Sequence, residues 1–113
     1  MAEPFSQPVR EFLAYLRIEC GLSANTLRAY EDDLRRFATF ALDRGVHQPG
    51  DVDMRLILDH LRALKADGLS AKSITRHLSA IRMFCRYLNV NGLSDHDPAE
   101  LIESPRTWST VPQ

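Results

Sequence analysis

A chain of 113 residues with a formal charge of −1 has room for one modest hydrophobic core and not for two. Its near-neutral balance argues against a protein that coats nucleic acid indiscriminately. No run approaches the roughly 20 apolar residues of a membrane span, and the N-terminus lacks the basic-then-apolar order of a signal peptide, so a cytoplasmic chain with no membrane contact is expected.

Residues 1–8 carry no periodic signal and read as a flexible N-terminus. From there, Val9, Phe12, Leu13, Leu16 and Cys20 recur at helical spacing, with Gly21 placed as a C-terminal cap. Ser23 is an N-cap for a long second helix whose apolar face is Leu27, Tyr30, Leu34, Phe37, Ala38 and Ala41, ending near Arg44 and Gly45. The segment 46–52 contains Pro49-Gly50 and reads as a loop. Asp53 caps a third helix with Met54, Ile57, Leu58, Leu61 and Leu64 inward, closed by Gly68. Ser70 opens a fourth, with Ile74, Leu78, Ile81, Cys85 and Leu88 inward, closing near Asn91-Gly92. Asp97, Pro98 and Glu100 have the spacing of cap, first helical position and capping-box acid for a short last helix. A helical domain over 9–103 followed by a linker from 104 to 113 is the organisation predicted. No window alternates with period two. The fold class is therefore all-α: four main helices in two hairpins plus a short C-terminal helix, packed as an orthogonal bundle.

Arginine supplies twelve of the fourteen basic residues, which suits planar, forked contact with phosphates or base edges. Between Gly68 and Gly92 stand Lys72, Arg76, Arg82 and Arg86 with no acid at all. On a helical wheel these share a sector with Thr75 and Ser79, opposite the apolar stripe. Such a helix presents a core face inward and a cationic, hydroxyl-dotted face outward, the arrangement that enters a major groove or follows a phosphate backbone. An ordinary solvated face is the plainer reading, but solvated helices usually mix signs at i,i+4 spacing and this one does not. Arg76, two turns into that face, is the expected groove contact. Asn25, Thr26 and Arg28 follow the cap Ser23, and Lys72 and Ser73 follow the cap Ser70. Both are acid-free helix starts, where free N–H groups and the helix dipole favour an anion such as phosphate. Simple capping is the alternative there.

Other chemistry finds little support. Cys20 and Cys85 lie in helical runs with no C-x-x-C pair and read as buried thiols in a reducing compartment rather than metal ligands. Tyr30 falls on an apolar face and Tyr15 and Tyr87 at its edges, which reads as packing. No carboxylate pair, Gly-rich phosphate loop or activated nucleophile stands out, so no enzyme activity, cofactor or small-molecule ligand is expected of this chain.

Three stretches carry a resemblance. Phe12-Leu-Ala-Tyr-Leu-Arg with Gly21-Leu-Ser-Ala-Asn-Thr-Leu-Arg-Ala-Tyr30 and Asp33-Leu-Arg-Arg-Phe37, then Gly68-Leu-Ser-Ala-Lys-Ser-Ile-Thr-Arg-His-Leu-Ser-Ala-Ile-Arg-Met-Phe84, then Asp97-Pro-Ala-Glu-Leu-Ile-Glu-Ser-Pro105 resemble, in order and spacing, the N-terminal core-binding (SAM-like) domain of Xer and phage-integrase tyrosine recombinases. The resemblance implies a helical domain that closes on one side of double-stranded DNA while a following catalytic domain closes on the other. It implies DNA contact by Asn25, Thr26 and Arg28 on the second helix and by Lys72, Ser73, Arg76, Ser79 and Arg82 on the fourth; Arg86 is added from the wheel alone. It also implies assembly with other recombinase protomers in a tetrameric synapse. The tyrosine nucleophile and its assisting residues belong to the domain absent from this chain. The competing reading is a helical protein-interaction module without direct DNA readout, using the acidic third helix and the C-terminal segment.

Overall fold

The computed structural model describes residues 3–102 and forms four α-helices: α1 (Glu3–Glu19), α2 (Ala24–Asp43), α3 (Met54–Ala66) and α4 (Ala71–Val90), with a single 3-10 turn at Pro49–Asp51 before α3. No strand occurs among the described residues, and the fold is all-α. The N-caps read for the second, third and fourth helices all form. The Ser23 hydroxyl accepts from the Thr26 amide, the Asp53 carboxylate from the Leu56 amide and the Ser70 hydroxyl from the Ser73 amide, each answering one of the free donors at a helix start.

The same tripeptide makes both hairpin turns. In Gly21-Leu22-Ser23 and Gly68-Leu69-Ser70 the glycine takes a positive φ, 67° and 92°, which only glycine adopts without a Cβ penalty. The leucine amide then donates back to a carbonyl of the finished helix, Leu22 to Leu16 and Leu69 to Leu64. Its side chain packs on the core. The serine caps the next helix, so three residues end one helix, reverse the chain and start another.

All three other helices contact α4, with α2 making its most extensive contact. An aromatic cluster joins α1 to α4: Phe12 lies 5.5 Å from both Phe84 and Tyr87, and Tyr15 stacks on Tyr87. Phe37, Ile57, Leu61 and Ile81, all fully buried, fill the middle.

The details depart from the sequence pattern in five places. Residues 3–8 are helical rather than flexible. Phe5 and Val9 stand one turn apart and are both 1 % exposed, so their burial in the core extends α1 through Pro8 to Glu3. The segment from Asp97 makes successive turns instead of a helix, with Ala99 donating to the Asp97 carboxylate, Glu100 to the Asp97 carbonyl and Ile102 to the Ala99 carbonyl. Ala99 and Ile102, three residues apart, are both buried, so packing holds a three-residue repeat. Cys20 is exposed, since α1 ends at Glu19 and the helical period no longer applies. On α3 the buried arc takes in Leu56 and His60, and Met54 at the helix start is left exposed. The loop 46–52 contains the 3-10 turn. The proposed linker, 104–113, lies outside the described residues.

Polar groups also enter the core. Asp33 of α2 is 2 % exposed. Its carboxylate accepts two 2.8 Å hydrogen bonds from Nε and Nη2 of Arg76 on α4, and its Oδ1 lies 3.3 Å from Nε2 of His77. Beyond His77 sits His60, 1 % exposed, packed on Phe37 and Phe40 and 6.1 Å from the His77 ring. Among the described residues neither ring nitrogen of His60 has a hydrogen-bond partner. Burial, with His77 and Arg36 nearby, lowers its pKa from 6.5 to about 4. His77 is lowered as well, chiefly by burial.

Three outcomes follow. Because His60 binds its proton less readily folded than unfolded, stability is full above about pH 6.5 and falls as pH drops toward 4. The loss is about 3 kcal/mol at roughly 1.4 kcal/mol per pKa unit. His60→Leu, which removes two unpartnered nitrogens, should flatten that slope without lowering the urea midpoint at pH 7, while His77 keeps a residual slope of the same sign. Arg76→Ala leaves a buried carboxylate half-answered and should cost on the order of 2 kcal/mol, the full effect of breaking a buried pair being reduced because Arg76 is half-exposed. Arg82→Ala should cost under about 0.5 kcal/mol by the same denaturation measurement. Finally, a thiol reagent on the folded chain should label Cys20 and spare Cys85, whose buried thiol is pushed up to about 12.

Candidate nucleic-acid interface

The outward sector of α4 carries the residues the wheel assigned to it. Lys72, Arg76 and Arg86 are exposed, and Ser73, Thr75, Ser79 and Arg82 are half-buried beside them. Their hydroxyls are not equally available. Thr75 donates to the Ala71 carbonyl at 2.8 Å, and Ser73 takes part in the Ser70 cap through both its amide and its Oγ. At the start of α2, Thr26 is engaged in the same way by Ser23, while Asn25 and Arg28 are exposed. Each cap thus uses the third N–H of its helix and leaves the earlier first-turn N–H groups facing solvent.

The fold changes the charge pattern around α4. The helix itself has no acid, but Asp33 reaches it from α2 and holds Arg76. At the other end, Asp97 and Glu100 share an open groove of about 570 Å³ with Arg82 and Arg86. The α2–α4 contact runs antiparallel: Arg36 meets Asp67, just before α4, at 2.9 Å, and Asp33, earlier on α2, meets Arg76, later in the chain.

Ion pairs sort the cations into two groups. Arg35, Arg36, Arg44 and Arg62 are paired with Glu31, Asp67, Asp59 and Asp59 across α2 and α3. Arg10, Arg17, Arg28, Lys72, Arg82 and Arg86 have no carboxylate partner among the described residues, and Arg55 and Lys65 on α3 are the others without one. Three of the unpaired set, Arg10, Arg17 and Arg28, line a groove of about 430 Å³ between α1 and α2, with Glu31 the one acid on its wall.

Reading the sequence missed two parts of this surface. Arg10 and Arg17 are seven residues apart, two turns on one helical face, and the wheel of the first helix could have shown them. Asp33 could not have been found that way, because its partner lies 43 residues on. Among the described residues no group of three or more His, Cys, Asp or Glu could hold a metal ion, and no helix is long and apolar enough to cross a membrane.

The sequence profile described as phage integrase, N-terminal SAM-like domain, matches residues 9–92. Among curated relatives, the tyrosine recombinase XerD of Listeria monocytogenes serotype 4b (strain F2365) is 35 % identical over 106 residues, covering 93 % of this chain and 36 % of the relative. XerD of Staphylococcus aureus (strain Mu50 / ATCC 700699) is 34 % identical over 104 residues, covering 92 % and 35 %. The chain thus spans about a third of the length of the curated relatives it matches. No solved structure matches it at a comparable level. With two thirds of the chain or more inside the profile, and with the four-helix architecture described above, the chain belongs to the phage-integrase N-terminal SAM-like domain family of tyrosine recombinases.

Proposed function

We propose that this chain is the DNA-binding clamp domain of a site-specific tyrosine recombinase, laying α4 and the start of α2 against double-stranded DNA at a recombination core site. The observation that carries the reading is the separation of cations. Arg35, Arg36, Arg44 and Arg62 on the α2–α3 side are neutralised in ion pairs, whereas Lys72, Arg82 and Arg86 on α4, and Arg10, Arg17 and Arg28 beside α2, have no carboxylate partner among the described residues and can neutralise phosphates; of the unpaired cations only Arg55 and Lys65 lie on α3. Asn25 and Lys72 sit at helix starts with free N–H groups, and Ser79 provides a short hydroxyl between the cations. Thr26 and Ser73 act through the caps that shape those starts. Cleavage chemistry is assigned to residues outside this chain, and the clamp takes in the whole of α1 from Glu3, whose Phe5 is part of the core, in addition to the span from 9 to 103 read from the sequence.

Contact with other protomers accompanies this role. Ile18, Val90 and Leu101 are 66 %, 73 % and 79 % exposed, and such apolar side chains suit a protein surface rather than phosphate. A tetrameric synapse on two DNA sites would use them.

The test is a titration of the isotope-labelled chain with a short duplex at low and then moderate salt, followed by backbone amide shifts. Salt-sensitive shifts along 23–28 and 70–86 are expected, with log affinity falling by roughly 0.9 per phosphate contact for each log unit of salt. Shifts confined to α3, or insensitive to salt, would favour the protein-contact reading instead.

A further inference from the structure

Arg76 stands on the cationic face of α4 but differs from its neighbours in how it is held. Asp33 grips it from the side, through Nε and Nη2. A guanidinium has five N–H donors, so this contact uses two and leaves the end-on fork of Nη1 and Nη2 without a partner among the described residues. The side chain is 47 % exposed and its carboxylate partner 2 %, so the buried group fixes the exposed one. A guanidinium held in one orientation has little rotamer entropy left to lose on binding.

Charge decides what that fork suits. Asp33 neutralises Arg76 directly and Asp32 adds a second negative field at the same group. A neutralised arginine gains little from a phosphate, whose attraction is mostly net charge and counterion release. It keeps its full geometry for a neutral pair of acceptors. In the major groove that pair is the O6 and N7 of guanine, spaced to accept two parallel N–H groups. Lys72, Arg82 and Arg86, which carry no such partner, suit phosphates.

We propose that Arg76 is a specificity-determining residue that reads a guanine edge, and that Asp33 is the positioning residue that aims it. The inference rests on the DNA-binding reading and divides the labour within it: the unpaired cations set affinity, and the Asp33–Arg76 pair sets sequence preference. His77, whose Nε2 faces the same carboxylate oxygen, closes the buried side of the pair.

The experiment is a selection by the intact chain from a library of randomised short duplexes, read by sequencing. The wild-type chain should enrich guanine at one position. Arg76→Ala, which loses the fork, and Asp33→Asn, which loses the grip, should both relax that position alone. Amide spectra establish that each variant is folded. A second arm alters the DNA: replacing the selected guanine by 7-deazaguanine, which lacks the N7 acceptor, should weaken wild-type binding about tenfold and leave Arg76→Ala unaffected. Arg76→Ala should leave the salt slope unchanged. If Arg76→Ala instead weakens every duplex alike and lowers the slope by about 0.9, Arg76 is a phosphate contact and the proposal is overturned. A guanine preference that survives Asp33→Asn removes Asp33 from the assignment. Salt-dependent binding with no base preference in the wild type overturns the edge-reading role while sparing the DNA-binding reading; absence of salt-dependent binding overturns both.

Discussion

A carboxylate taken out of water has to be answered where it lies, because an unpaired buried charge costs several kcal/mol. Asp33 is answered by two consecutive residues of α4, Arg76 from the solvent side and His77 from the core side. Apolar stripes specify that α2 and α4 pack, but neighbouring apolar positions one turn along would bury almost as well. A bidentate ion pair tolerates no such slip. The Arg36–Asp67 pair runs in the same antiparallel sense. Register between the two helices nearest the proposed DNA surface is therefore a consequence of electrostatics laid over hydrophobic packing.

The same burial creates a cost behind it. His60 fills the middle of the buried arc of α3 with neither nitrogen bonded among the described residues, and it is tolerated because its ring packs edge-on against Phe37 and sits against Phe40. The imidazole stays neutral there. The core thus holds a charged pair at its rim and two neutral histidines inside, in order of decreasing access to water.

Charge is segregated in space rather than along the chain. A total of 15 acids against 14 bases suggests a neutral surface, yet the pairs consume acids mostly on α2 and α3. Of the cations left unpaired among the described residues, Lys72, Arg82 and Arg86 lie on α4 and Arg10, Arg17 and Arg28 in the α1–α2 groove, with Arg55 and Lys65 on α3. A near-zero net charge is then compatible with a strongly cationic face, and it lets the unpaired set act on an anionic partner while the rest of the surface does not.

Local rules were legible in the residues themselves. Ser23, Asp53 and Ser70 cap because a short side-chain oxygen satisfies a free amide wherever it sits, and the Gly-Leu-Ser turns work because only glycine accepts their φ without strain. The all-α fold and the family resemblance rest on such short-range signals, which depend on neighbours within a turn or two. What failed depended on distant partners. Residues 3–8 joined α1 because Phe5 had a core to enter. Asp97 did not nucleate a helix because Ala99 and Ile102 were already buried, and the acid-free face of α4 acquired an acid from α2. The sequence by itself determined where helices begin and end and which faces are apolar or cationic. The tertiary structure alone decided which cations remain free, since an ion pair between residues 33 and 76 exists only once packing has paid the entropy of bringing them together.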